Sequence, residues 1–178
     1  MIPSDSLQIR IAPFGELPTA TYHRIVQARE EVFFLEQRIT CPDADETDPR
    51  SLFQWIEQEG RVIAFLRIIP PGILCKEASV GRVLVIREYR RQGICRRMMR
   101  EALRQIAARW PRCDVHISAQ AYLEGFYASL GFETVTPPYE EAGIRHGGML
   151  PRGTSARQSK RERREPRSRP LPLVRHPP

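Results

Sequence analysis

The sequence predicts a mixed α/β domain, and three observations carry the prediction. Short runs alternate apolar and polar residues, as in Leu7, Ile9, Ile11 and in Val115, Ile117, Ala119, which is the period of a half-buried strand. A longer segment places Ile94, Met98, Ala102 or Leu103, Ile106 and Trp110 at helical spacing. Finally, 178 residues suffice for one domain with a full core and not for two.

The elements follow in order. "LQIRIA" reads as the first strand, and "PTATYHRIVQAREEVFFLEQ" as a helix with threonines near its start and Ile25, Val32 and Phe33 on one side. "CPDADETDPR" is an acidic loop. "SLFQWIEQ" and "RVIAFLRII" form an antiparallel pair joined at Glu59-Gly60, and Pro70-Pro71-Gly72 stops the second of them. "SVGRVLVI" is a fourth strand, the helix from Ile94 runs until Pro111 ends it, and "CDVHISAQ" is a fifth strand. A short helix in "YLEGFYASL" ends at Gly131, and "FETV" and "GIRHGGML" supply closing strands. The order β-α-β-β-β-α-β-α-β-β contains no internal repeat.

The chain has a net charge of +7, but residues 152–178 hold nine Lys or Arg against two Glu, leaving 19 of each sign before them. Two parts are therefore expected: a folded domain over 1–150 and a basic, Pro/Arg-rich tail over 151–178, too polar to offset its ordering entropy. Such a tail can make weak, non-specific contact with nucleic acid. It lacks the interleaved aromatics that stack on bases, which favours a merely solvated terminus. Cys41, Cys75, Cys95 and Cys113 form no CxxC pair and lack the His spacing of a zinc site, so free thiols and no metal are expected. No apolar run approaches 18 residues and no signal peptide is evident, so a cytoplasmic protein without membrane contact is expected.

"EYRRQGICRR", residues 88–97, packs arginines around Gly93 where a strand hands over to a helix. A helix start leaves amides unpaired at the positive end of the dipole and so offers an anion site. Gly93 lets the backbone close on a phosphate, and Arg90, Arg91, Arg96 and Arg97 add charge. Taken alone, the segment reads equally as a solvated helix start.

The spacing Arg90-x-x-Gly93-x-Cys95 resembles the acyl-CoA loop of the GNAT acetyltransferase superfamily. "AQAYLEGFYASLGF" is similar to that superfamily's fifth strand and following helix, with Gln120 at the position of a cofactor-contacting Asn and Tyr127 at that of a Tyr seven residues on. "EVFFLEQ", "GRVLV", "AQAYLEGFY" and "YEEAGIRHGGM" together resemble the ElaA-like branch over roughly residues 5–150. The chain departs from that branch at Cys95 (usually Gly or Ala), at Ala142 and Arg145 (an Asp and a Pro in the branch), and in lacking a His near Leu52.

The resemblance implies a GNAT fold, a mixed sheet with splayed fourth and fifth strands flanked by helices, and acetyl-CoA as co-substrate. It places pantetheine against the backbone of Val83, Leu84 and Val85, like an added strand. It places the pyrophosphate on the loop formed by Arg90, Arg91, Gln92, Gly93, Ile94, Cys95 and Arg96, with Gln120 also at the cofactor. Tyr127 is the implied acid for the departing thiolate; a half-buried packing aromatic is the equal alternative. Glu36, Glu140, Glu141, His116 and His146 are candidate bases, and a water relay needs none of them. Glu36 can also simply pair with Arg82.

"DADETD" fails as a calcium loop because Asp48 and Gln54 stand where Gly and a bidentate Glu are required. HExxH, GxSxG and P-loop motifs are absent. The expected function is transfer of an acetyl group to a primary amine of a small molecule, peptide or protein. The alternative is a catalytically weak acyl-CoA-binding module docked to nucleic acid or an acidic partner by its tail. A homodimer is compatible with either.

Overall fold

Strands interleaved with helices call for a central sheet, and the structure, a computed structural model describing residues 7–153, contains one of eight strands. These are β1 (Ile9–Pro13), β2 (Leu52–Gln58), β3 (Arg61–Ile69), β4 (Ala78–Val85), β5 (Val115–Gln120), β6 (Phe132–Thr134), β7 (Tyr139–Glu141) and β8 (Ile144–Pro151). Their order is β1-β2-β3-β4-β5-β8-β6, with β7 paired to β8. The helices are α1 (Thr19–Arg29), α2 (Ile94–Arg109) and α3 (Glu124–Ala128). Part of the sequence-expected tail, residues 154–178, lies outside the described residues.

The core follows from the two periodicities. Every residue of β3 after Arg61 is buried, because α1 and α2 both pack against this central strand. On α2 the buried residues Ile94, Met98, Ala102 and Ile106 recur every fourth position and form one stripe. Removing a side chain such as Ile94 from water contributes about 1.5–3 kcal/mol. The stripe thus welds the helix to the sheet, with its first turn following the end of β4.

Two parts of the chain differ from the sequence expectation. The first helix is not uniform: α1 stops at Arg29 and continues as a π-helical stretch, Glu30–Glu36, closed by a Gln37 amide to Val32 carbonyl bond of 3.0 Å. The wider winding lets Phe34 and Leu35 point outward while Glu36 and Gln37 turn inward, an arrangement that π segments often serve at functional sites. Secondly, β7 is an additional strand. It joins β8 through Ala142-Gly143, where both residues have positive φ, 53° and 73°, as a two-residue hairpin turn requires. Asn or Asp usually precedes the Gly in such turns; Ala142 conceals the signal.

β4 and β5 run parallel and share only two residue pairs, Ala78↔Val115 and Ser79↔His116. Beyond Ser79 they separate. β5 turns to β8, which it pairs from Ile117 to Gln120, while β4 stays with β3. The β3–β4 register slips between Phe65 and Arg67, opposite Arg82, whose φ of 52° marks an extra residue bulged out of the ladder. The expected splay is therefore present, and it leaves the β5-facing edge of β4 without a strand partner.

Candidate active site

A cavity of about 1140 Å³ fills the gap between the diverging strands. Its wall includes Val83, Leu84 and Val85 on β4, and Arg90, Arg91, Gly93, Ile94, Cys95 and Arg96 at the start of α2. Gln120 at the end of β5 completes the side opposite β4. Ten of the twelve residues singled out from the sequence line this one cavity; Gln92 and Tyr127 are the two that do not.

The loop owes its shape to backbone conformation. Arg91 and Gly93 both have positive φ, 60° and 78°, and Gly93 is the N-cap residue of α2. Having no side chain, Gly93 offers no cap, and the first intrahelical bond is donated by Arg97 to its carbonyl at 3.1 Å. The amides of Ile94, Cys95 and Arg96 are consequently left at the positive end of a 16-residue helix. A Cβ built at Gly93 would meet nothing within 4 Å, so the requirement for glycine is conformational, with no crowding involved.

The arginines divide by task. Arg90 is already committed: its Nη1 and Nη2 donate to Glu36 at 2.5 and 2.8 Å, and its Nε donates to the Val85 carbonyl at 2.8 Å. It braces the loop against β4 and the π stretch, so its guanidinium is not a free phosphate donor. Glu36 accordingly pairs with Arg90 and not with Arg82; the hydrogen bond from Arg90 holds its carboxyl below the usual range. Arg96 donates to Ser129 at 2.9 Å and lies over the Phe126 ring. Arg91 has no carboxylate partner among the described residues. Gln92 stands off the cavity and donates to the Glu88 carbonyl at 3.2 Å.

Tyr127 sits behind the wall formed by Cys95, Leu123 and Phe126. It is 4% exposed and makes edge contacts with Phe126 and Phe132, at 5.2 and 6.4 Å between ring centres. Burial pushes its hydroxyl pKa well up, with Cys95 and Tyr122 adding to the shift, so the proton stays on oxygen. Burial likewise pushes the Cys95 thiol up, to about 11, which makes it a neutral lining group. All four cysteines carry free thiols.

The acidic loop is explained by distant arginines. Asp48, 2% exposed, joins Arg29 at 2.8 Å and Arg67 at 2.5 Å; Asp43 joins Arg29 at 2.6 Å and Arg82 at 2.7 Å; Asp45 joins Arg67 at 2.6 Å. Burial pushes the Asp45 carboxyl up, and hydrogen bonds from Arg67 and Thr47 more than reverse it, leaving it well below the ordinary range. Three carboxylates against three guanidiniums leave this part of the wall neutral. They also pin residues 43–48 to β3 and to the bulge of β4.

Beyond Gln120 the wall is a polar face of three strands. His116, Ser118 and Gln120 alternate along β5 with buried Val115, Ile117 and Ala119, as the sequence pattern predicts. β8 contributes His146, and β7 contributes Tyr139 and Glu141. Gly148 must be glycine here, since a Cβ would lie 2.8 Å from Thr136 and 3.2 Å from His116 Nε2. Ser118, Tyr139 and Tyr122 were missed as site residues; the period-two pattern of β5 already pointed to Ser118, while Tyr139 was concealed with its strand. Glu140 pairs in register with Arg145 on the hairpin and does not line the cavity.

Comparisons with known proteins agree with this fold. The acetyltransferase (GNAT) domain family matches residues 17–150. A UPF0039 protein of Synechocystis is 34% identical over 139 residues, covering 77% of this chain and 90% of that protein. Protein ElaA of Escherichia coli is 33% identical over 139 residues, 76% of this chain and 90% of ElaA. The crystal structure of ElaA superposes with a TM-score of 0.76 at 28% identity, covering 82% of this chain and 99% of that one. An acyl-CoA N-acyltransferase from Pseudomonas aeruginosa superposes with a TM-score of 0.78 at 30% identity, with the same coverage of 82% and 99%.

The arginine–aspartate network makes a stability prediction. Asp48→Asn removes the carboxylate between two buried guanidiniums and is expected to cost about 3 kcal/mol, whereas Asp45→Asn, whose side chain is 36% exposed, is expected to cost under about 1 kcal/mol. Urea unfolding with unchanged m-values reads the difference; equal costs would mean that burial does not govern the network.

Proposed function

This chain belongs to the GNAT acetyltransferase family and is an acyl-CoA-dependent acyltransferase, and on that premise we propose that it transfers an acetyl group from acetyl-CoA to a primary amine of a small molecule, peptide or protein. The observation that carries the reading is the placement, along one cavity, of the uncapped start of α2 beside the unpaired edge of β4.

The residues present fit such a co-substrate at both ends. Amides from Arg91 to Arg96 offer donors to the pyrophosphate, while Arg91 and Arg96 supply positive charge without a competing carboxylate. The backbone of Val83, Leu84 and Val85 offers pantetheine amides a strand-like partner. Gln120 stands across the gap from them. The thioester supplies an activated acyl carbon.

Tyr127 is the proposed proton donor to the departing sulfur. Its buried hydroxyl keeps its proton at neutral pH, which a donor needs. The domain is proposed to span 1–150, with the remainder a separate segment.

Acetyl-CoA at about a hundred times its Kd contributes about 2.7 kcal/mol, expected to raise Tm by roughly 5–10 °C for a domain of this size. ATP and NAD at equal concentration should give no comparable shift. Gly93→Asp, which tolerates the left-handed backbone but sets a carboxylate against the pyrophosphate, should abolish most of the rise. Equal shifts with all three ligands, or an undiminished shift in the variant, would remove the loop from the account.

Steady-state assays of Tyr127→Phe separate its two roles. An acid predicts a fall in kcat of about 10²-fold with the acetyl-CoA Kd within about twofold. Matching losses in both would make it a packing residue.

A further inference from the structure

The polar face beyond Gln120 lies in the same cavity as the proposed co-substrate groove, and its hydrogen-bond pattern has a direction. Ser118 Oγ lies 2.6 Å from Tyr139 Oη and 3.0 Å from Glu141 Oε2. An ionised carboxylate only accepts, so the single hydroxyl hydrogen of Ser118 goes to Glu141 and the Tyr139 hydroxyl donates to Ser118. The lone pairs of Tyr139 Oη therefore remain available to accept from an N–H donor.

His146 is oriented in the same way. Its Nδ1 lies 2.7 Å from the Ile144 carbonyl, which can only accept; Nδ1 carries the hydrogen and Nε2 carries the lone pair. The ring stacks on Tyr139 at 6.1 Å between centres, and its β5 neighbour is Gln120, at the near end of the groove. Nε2 has no hydrogen-bond partner among the described residues. The strand register thus sets a proton acceptor between the proposed thioester position and the Tyr139–Ser118–Glu141 chain.

Charge along the cavity is polarised. Arg91 and Arg96 make the α2 end positive. Glu36 with Arg90, and Asp43 and Asp45 with Arg67 and Arg82, balance in between. Glu141, with no cation beside it among the described residues, makes the far end negative. Ile39, Ile69 and Leu74 give the intervening wall apolar surface. An alkyl ammonium matches this order of groups; an acceptor carrying an anion beside its amine does not.

Resting on the acetyltransfer reading above, we propose that the β5–β8–β7 face is the acceptor subsite: Glu141 and Tyr139 hold a primary ammonium on an aliphatic stem, and His146 Nε2 removes its proton. The neutral amine then forms the N–C bond as the C–S bond breaks. Ammonium and thioester give amide, CoA thiol and one proton, the last leaving through His146 to solvent.

The probe is n-hexylamine, assayed as acceptor with acetyl-CoA. Glu141→Gln keeps the acceptor for Ser118 but loses the charge, and should raise the hexylamine KM about tenfold with kcat retained. His146→Asn keeps a donor for the Ile144 carbonyl but deletes Nε2, and should lower kcat about 10²-fold with the hexylamine KM within about threefold. Calorimetry should find acetyl-CoA affinity within about twofold of wild type in both. Should His146→Asn lose that affinity through misfolding, the exposed Glu141→Gln decides alone. Wild-type turnover of hexylamine with unchanged kinetics in a folded variant overturns the assignment, as does wild-type turnover of other amines but not hexylamine. No wild-type turnover of any amine would instead overturn the transfer reaction itself.

Discussion

Two neighbouring parallel strands that pair over only two residues are the constraint from which the rest follows. A strand edge left open inside a sheet is costly unless something bonds to it. β4 and β5 part after Ser79 because β5 has a full antiparallel partner in β8, while the bulge at Arg82 bends β4 away. The exposed backbone between them is suited to an extended amide-bearing ligand. Since α2 connects these two strands, its uncapped start opens onto the same gap.

The gap is kept in shape by charged side chains in its wall that are committed to one another. Arg90, gripped by Glu36 and the Val85 carbonyl, fixes the glycine loop to the end of β4. The six-membered arginine–aspartate network fixes residues 43–48 to the bulge. Both use bidentate guanidinium geometry, which lysine could not reproduce. The arginines left over, Arg91 and Arg96, stand where an anion would meet them. Unequal pairing within a nearly neutral body therefore generates a cavity with opposite polarity at its two ends.

Much of this was legible in the sequence because local pattern and tertiary context agree. The alternation of His116, Ser118 and Gln120 with buried neighbours placed β5 correctly, the four-residue spacing from Ile94 to Ile106 placed α2, and Glu59-Gly60 marked the β2–β3 turn. The open loop around Gly93 and the splay also stand as expected. What was hidden has identifiable causes. Ala142 occupies a left-handed turn position that usually announces itself with Asn or Asp, so β7 and Tyr139 went unread. The π winding after Arg29 leaves no composition signal, yet it decides that Glu36 meets Arg90. The partners of the acidic loop, Arg29, Arg67 and Arg82, are scattered along the chain and converge only on folding. Nor does a motif reveal depth, which is why Tyr127 lies behind the wall that its neighbours form.

Amide hydrogen exchange of the full chain, with and without acetyl-CoA, tests the central claim most directly. Occupation of the strand gap predicts slowed exchange at residues 83–85 and 93–96 together, with β1 and β2 unchanged. Protection confined to other segments, or slowing at the helix start without slowing on β4, would contradict the account.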